Sequence, residues 1–82
     1  SAENIFDCIN ISAEYSIFEI EPLDKWIGKT VMDLDFRNRY ELNIIAVKKD
    51  GKVMPIRPDY MFTKAEHLLV LGHKKDVRRV LK

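Results

Sequence analysis

An arginine and an asparagine six positions apart, Arg37 and Asn43, give this sequence its clearest capacity for chemistry. Arginine carries a planar fork matched to phosphate oxygens. Asparagine offers both a donor and an acceptor, so it can read a base edge or a backbone group. Phe36, Tyr40 and Ile44 flank the pair with apolar and aromatic surface able to cover a purine face. The set describes a rim for a small phosphate-bearing ligand. A purely structural reading stands beside it: Arg37 pairs with Asp33 or Glu41 at helical spacing, Asn43 caps the helix exit, and the aromatics are core.

Other reactive residue types lack the company they need. His67 and His73 have no cysteine, histidine or carboxylate at metal-ligand spacing. The three glycines form no phosphate loop, and Gly28 ahead of a helix is weak evidence for an anion site. Cys8 has neither a nucleophile elbow nor a redox partner. Asp33 and Asp35, adjacent but one on a helix, point apart and make no acid pair. The chain is read as non-catalytic, with no metal and no cofactor.

These side chains need a scaffold. Tyr15 to Glu21 alternates apolar and polar residues and reads as a strand ended by Pro22. Thr30 opens a helix with Asp33 in capping-box spacing. Along that helix Val31, Leu34 and Asn38 share one side, and Met32, Phe36 and Tyr40 form a neighbouring stripe. The apolar arc is wider than one sheet face needs, leaving part for a second subunit. Asn43 to Lys48 is a strand, and Asp50-Gly51 supplies the type I′ turn into Lys52–Ile56. Pro55 and Pro58 confine that second strand to an edge. His67-Leu68-Leu69-Val70-Leu71 reads as a buried central strand, followed by a closing helix from Lys74 with Val77, Val80 and Leu81 inward. Residues 1–14 read as an N-terminal linker or short helix, since Ile5, Phe6 and Ile9 sit at helical spacing. Ser1-Ala2 has the look of a cloning remnant. The expected fold is α+β: one small β-α-β-β-β-α domain over residues 15–82, with an antiparallel or mixed sheet backed by helices.

At 82 residues the chain is one domain, and one this small buries only roughly 60–65% of its unfolded surface. It has reason to bury more against a second copy, so a homodimer is expected. Its 14 basic and 13 acidic residues nearly balance, which disfavours generic binding to nucleic acid or anionic membrane. The basic run Lys74 to Arg79 reads as a solvated helix face. A single cysteine rules out an internal disulfide and points to a reducing compartment. No apolar run reaches the roughly 18 residues of a membrane span. The expectation is a soluble, cytosolic chain that is part of something longer.

The run Leu34-Asp35-Phe36-Arg37-Asn38-Arg39-Tyr40-Glu41-Leu42-Asn43-Ile44-Ile45-Ala46-Val47 resembles the regulatory RCK_C (TrkA-C) family of bacterial potassium-transport regulators. So do Pro22-Leu23-Asp24-Lys25-Trp26-Ile27-Gly28-Lys29-Thr30 upstream and the late strand before Gly72. The likeness covers about Tyr15 to Arg79, with the segments in the family's order. It implies a dimeric module following a nucleotide-binding domain in cytoplasmic subunits that gate a membrane potassium transporter. In the KtrA-like branch it implies cyclic di-AMP at the dimer interface. The matching positions are Val31, Met32, Asp35, Phe36, Arg37, Tyr40, Asn43 and Ile44. Two positions depart from the pattern: Phe36 replaces the usual aliphatic residue, and Glu41 replaces the glycine that often supplies a left-handed helix exit. The first would fill or reshape an adenine pocket. A dimerisation module of a transporter or transcription regulator, with no soluble ligand, would carry much the same sequence.

Overall fold

A computed structural model describes residues 4–82. Five antiparallel strands form one sheet in the order β1-β2-β5-β3-β4. They are β1 (Ile5–Asn10), β2 (Tyr15–Ile20), β3 (Asn43–Lys49), β4 (Lys52–Pro55) and β5 (His67–His73). Among the described residues three short α-helices, α1 (Val31–Leu34), α2 (Phe36–Tyr40) and α3 (Lys74–Val80), and a 3-10 turn at Asp24–Trp26 complete the fold. The α+β class read from the sequence holds.

Alternation decides which sheet face is covered. Ser16, Phe18 and Ile20 of β2 and Leu68 and Val70 of β5 are buried, as are Val77, Val80 and Leu81 from the α3 segment. On the opposite face Ile17, Glu19, Leu69 and Leu71 remain half-buried. Strand β5 is central, as expected, yet it is buried on one face only, because the helices cover a single side. The hairpin expected at Asp50-Gly51 is present, with both residues at positive φ, and β4 lies at the sheet edge.

Two expectations need correction. Residues Ile5–Asn10 are neither linker nor helix; they pair with β2 as an edge strand. The helical spacing of Ile5, Phe6 and Ile9 misled because a register shift between Ile5 and Asp7 breaks the strand's alternation. Ser1 and Ala2, read as a cloning remnant, lie outside the described residues.

The second correction concerns the helix after Thr30. Its capping box forms: Asp33 N–H donates to Thr30 Oγ1 at 3.1 Å and Thr30 N–H donates to Asp33 Oδ2 at 3.2 Å. These bonds hold the Asp33 carboxyl below its usual range. One turn later the helix stops at Asp35, which is left-handed at φ 46° and ψ 57°. Aspartate tolerates this conformation better than most residues, and its carboxylate accepts two bonds from Asn38 Nδ2, at 3.1 and 3.0 Å. The break separates the expected Met32–Phe36–Tyr40 stripe. Met32 is exposed, Phe36 is buried and Tyr40 lies between.

Phe36 enters an aromatic core with Trp26 and Phe62, at ring centroid distances of 4.8 and 5.7 Å. The segment from Ile56 to Glu66 forms no strand of its own and straps over Gly28–Met32 instead, with an isolated bridge between Thr30 and Met61. Phe62 N–H donates to the Lys29 carbonyl, Val31 N–H to the Tyr60 carbonyl and Met32 N–H to the Pro58 carbonyl, at 3.0 to 3.1 Å. Buried Glu66 anchors the strap by accepting from Tyr60 Oη, Thr63 N–H and Thr63 Oγ1 at 2.6 to 2.9 Å. Burial and the Glu66 carboxylate push the Tyr60 phenol up to about 12.

Candidate ligand-binding site

Where the strap crosses the α1–α2 break, a shallow pocket of about 310 Å³ opens. Val31, Met32, Asp35, Phe36, Arg37, Asn43 and Ile44 line it, joined by Leu42 and Pro58. Val31 and Met32 come from α1 and Arg37 from α2, on either side of the left-handed turn at Asp35. The start of strand β3 contributes Asn43 and Ile44, and buried Leu42 precedes it.

Arg37 is fixed by Asn43. Its Nε and one Nη donate to Asn43 Oδ1 at 3.2 and 3.1 Å. No ion pair of Arg37 with Asp33 or Glu41 occurs among the described residues. The guanidinium therefore keeps further donors for an anion, and among the described residues the Asn43 amide nitrogen has no side-chain partner. The rest of the lining is apolar apart from Asp35, whose carboxylate is occupied by Asn38.

Eight residues were expected at the site, and the structure gathers seven around one pocket. Tyr40 is the exception. It accepts from Trp26 Nε1 at 3.4 Å and lies against Phe36 at 5.5 Å between ring centroids, behind the pocket wall. Phe36 presents only part of its surface, because its ring is engaged in the core. Glu41 adopts the left-handed exit without glycine, at φ 57° and ψ 32°, and its N–H reaches the Arg37 and Phe36 carbonyls. Leu42 and Pro58 were not anticipated. Leu42 reads locally as a bridge between helix and strand, and the strap that delivers Pro58 is a long-range pairing with no local signal.

A second polar cluster occupies the open sheet face. Glu19 Oε2 lies 2.6 Å from His67 Nδ1, and Glu19 Oε1 lies 3.4 Å from Lys48 Nζ. The bond from His67, then that from Lys48, hold the Glu19 carboxyl below its usual range against the opposing effect of burial. Among the described residues no group of three or more histidine, cysteine or acidic side chains is arranged to hold a metal. No helix among them is long and apolar enough to cross a membrane.

Comparison with known proteins gives a consistent result. The TrkA-C domain model matches residues 15–82. Ktr system potassium uptake protein A of Bacillus subtilis (strain 168) is 35% identical over 80 residues, covering 96% of this chain and 36% of that protein. Ktr system potassium uptake protein C of the same organism is 34% identical over 82 residues, covering 95% of this chain and 36% of that protein. The chain thus spans about a third of these curated relatives. Among solved structures, the RCK C domain of potassium transport protein KtrA in complex with cyclic diadenosine monophosphate superposes with a TM-score of 0.73 at 32% identity, covering 82% of this chain and 80% of that one. The GsuK RCK domain shares the fold, with a TM-score of 0.73 at 24% identity over 90% of this chain and 17% of that one.

Proposed function

The chain belongs to the TrkA-C (RCK_C) domain family, and from that premise we propose that it is a non-catalytic regulatory module of a potassium-uptake system that binds cyclic di-AMP between two copies of itself. The observation that carries the reading is the Arg37–Asn43 pair on the wall of an apolar pocket. The similar KtrA domain, solved with cyclic diadenosine monophosphate, supports the choice of ligand.

The geometry favours a shared site. A pocket of about 310 Å³ is small for a dinucleotide. It is wide open, and Met32 on its rim is 66% exposed. Two such pockets related by a two-fold axis would enclose a ligand with the same symmetry. Each Arg37 would then face one phosphate, and the two charges of each sign would balance. Val31, Met32, Phe36 and Ile44 would cover the adenines, with Asn43 and Asp35 at their edges. Tyr40 acts through Phe36, holding the wall in place. Binding would favour one arrangement of the two copies and so bias a membrane transporter from the cytoplasmic side.

Isothermal titration of the purified domain with cyclic di-AMP tests this, with cyclic di-GMP and AMP as controls. The expected result is saturable binding of one ligand per two chains, selective for the adenine dinucleotide. No heat and no shift in melting temperature across the nucleotides would instead favour a dimerisation module without a soluble ligand.

A further inference from the structure

Sharing no residue with the Arg37 pocket, a groove of about 500 Å³ runs between β1 and α3. Its floor includes Ile5, Cys8 and Phe18, and one wall carries Lys74, Arg78 and Lys82. Lys74 and Arg78 stand one turn apart on α3, about 6 Å along its axis, and Lys82 continues this basic stripe just past the helix end. No ion pair engages any of them among the described residues, whereas the neighbouring Arg79 is held by Asp76 at 2.8 Å.

The other wall is a sheet edge. β1 is the outermost strand, and among the described residues it pairs only with β2. Edges of this kind are usually protected by proline, lysine, a bulge or an inward charge. In Ile5-Phe6-Asp7-Cys8-Ile9-Asn10 the protection is partial: a bulge falls between Ile5 and Asp7, and the Asp7 carboxylate accepts from the Cys8 N–H at 2.8 Å, a contact that an added strand would displace. Asp7 lies opposite Glu19, on the sheet face away from α3. Phe6 and Ile9 are 49% and 56% exposed.

We propose that this edge and stripe together form a docking site for an extended acidic segment of a partner protein, added as a sixth strand beside β1. Alternate side chains of a strand stand about 6.6 Å apart, close to the spacing of the basic stripe. Acidic residues at every second position would therefore meet Lys74 and Arg78 in turn, with Lys82 beyond them and their methylenes over Cys8 and Ile5. The intervening residues would lie on the opposite face beside Ile9 and Phe6, and apolar ones fit there. Backbone bonds to the β1 edge supply affinity, and the basic stripe supplies the choice of partner. A second copy of this chain fits poorly: pairing β1 with β1 would set one cationic α3 stripe against another.

Cys8 is the chain's single cysteine and lies in the groove, so its alkylation by N-ethylmaleimide reports occupancy. The probe is a synthetic decapeptide of alternating glutamate and valine, with the lysine–valine decapeptide as control. The glutamate peptide should slow Cys8 alkylation saturably, and raising salt from 50 to 500 mM should weaken it. Lys74→Glu with Arg78→Glu should weaken binding at least tenfold while leaving the melting temperature in place. The milder Lys74→Gln with Arg78→Gln serves if the reversal unfolds the chain. Equal protection by both peptides, binding indifferent to the substitutions, or no protection by the glutamate peptide would each overturn the proposal. So would concentration-dependent protection of Cys8 without peptide, which would make a second copy the occupant.

Discussion

Arg37 and Asn43 share one oxygen: two nitrogens of the guanidinium converge on Asn43 Oδ1, at 3.2 and 3.1 Å, across the mouth of the pocket. Arginine loses considerable side-chain entropy when it is immobilised. Here part of that cost is met before any ligand arrives, because the asparagine already holds the fork in place. Asn43 is itself fixed as the first residue of β3, in register with Leu71 of the central strand. The geometry of the pair thus rests on the sheet.

Arg37→Ala should abolish cyclic di-AMP binding and leave the fold intact. A hydrogen bond to a charged group contributes about 1.5–3 kcal/mol, and a two-fold site loses the interaction twice. Affinity should fall at least about a hundredfold on that scale. Both Arg37 and Asn43 are exposed, so the melting temperature should hardly move. Titration of the variant is the check, and undiminished affinity would remove Arg37 from the site.

Glu41→Gly should stabilise the domain. A side chain in the left-handed region costs roughly 1–2 kcal/mol, and Glu41 sits there at φ 57°. Glycine relieves that cost but loses more entropy on folding, so the net gain should be a few tenths to about 1 kcal/mol. For a domain of this size, that is a rise of up to roughly 4–8 °C in melting temperature. Glu41→Ala should give no such gain. A lower melting temperature for the glycine variant would show that Glu41 has a compensating role.

Gly72→Ala should be destabilising. A Cβ built on Gly72 would lie 2.5 Å from Leu42 Cδ2. Leu42 is buried beneath the pocket and has little room to yield. Overpacking of this kind costs about 1–3 kcal/mol. Chemical denaturation of the single variants and of Gly72→Ala with Leu42→Ala would measure the coupling, and the pair should be less destabilised than the sum. Additivity would mean that the clash is relieved elsewhere.

Much of this fold was legible because its signals are local. The alternation of Tyr15–Ile20, the Thr30–Asp33 box and the Asp50-Gly51 turn each specify structure within a few residues. The Asp35 break was not legible, since aspartate is compatible with a helix and its left-handed geometry depends on Asn38 and on the pull of Phe36 into the core. Strand β1 was obscured by its own bulge. The pocket shows the same division. Arg37 and Asn43 announce themselves by residue type, while Pro58 arrives through a strap fixed by buried Glu66, a pairing that no local pattern encodes. Tyr40 illustrates the converse: the family resemblance and its place beside Arg37 grouped it with the expected site residues, but it bonds Trp26 and does not line the pocket.

The Glu19 cluster should make stability depend on pH at the acid end. Hydrogen bonds from His67 and then Lys48 lower the Glu19 carboxyl from its unfolded value of 4.5. A group whose folded value lies below its unfolded one contributes stability that is fully present above the unfolded value. That contribution is lost as pH falls through the folded value. The urea midpoint should therefore decline below about pH 4.5, and Glu19→Gln should flatten part of that decline while lowering stability at neutral pH. Asp33 contributes a similar dependence through its capping box. Thr30→Ala removes that second contribution and separates the two. The Glu19 side chain is only 12% exposed and bridges β2 to β5 and β3. Its protonation should thus loosen the sheet across three strands, where Asp33 would fray a single helix end. Identical acid limbs for the wild type and Glu19→Gln in urea titrations between pH 7 and 3 would show that the carboxylate gains nothing from its partners on folding.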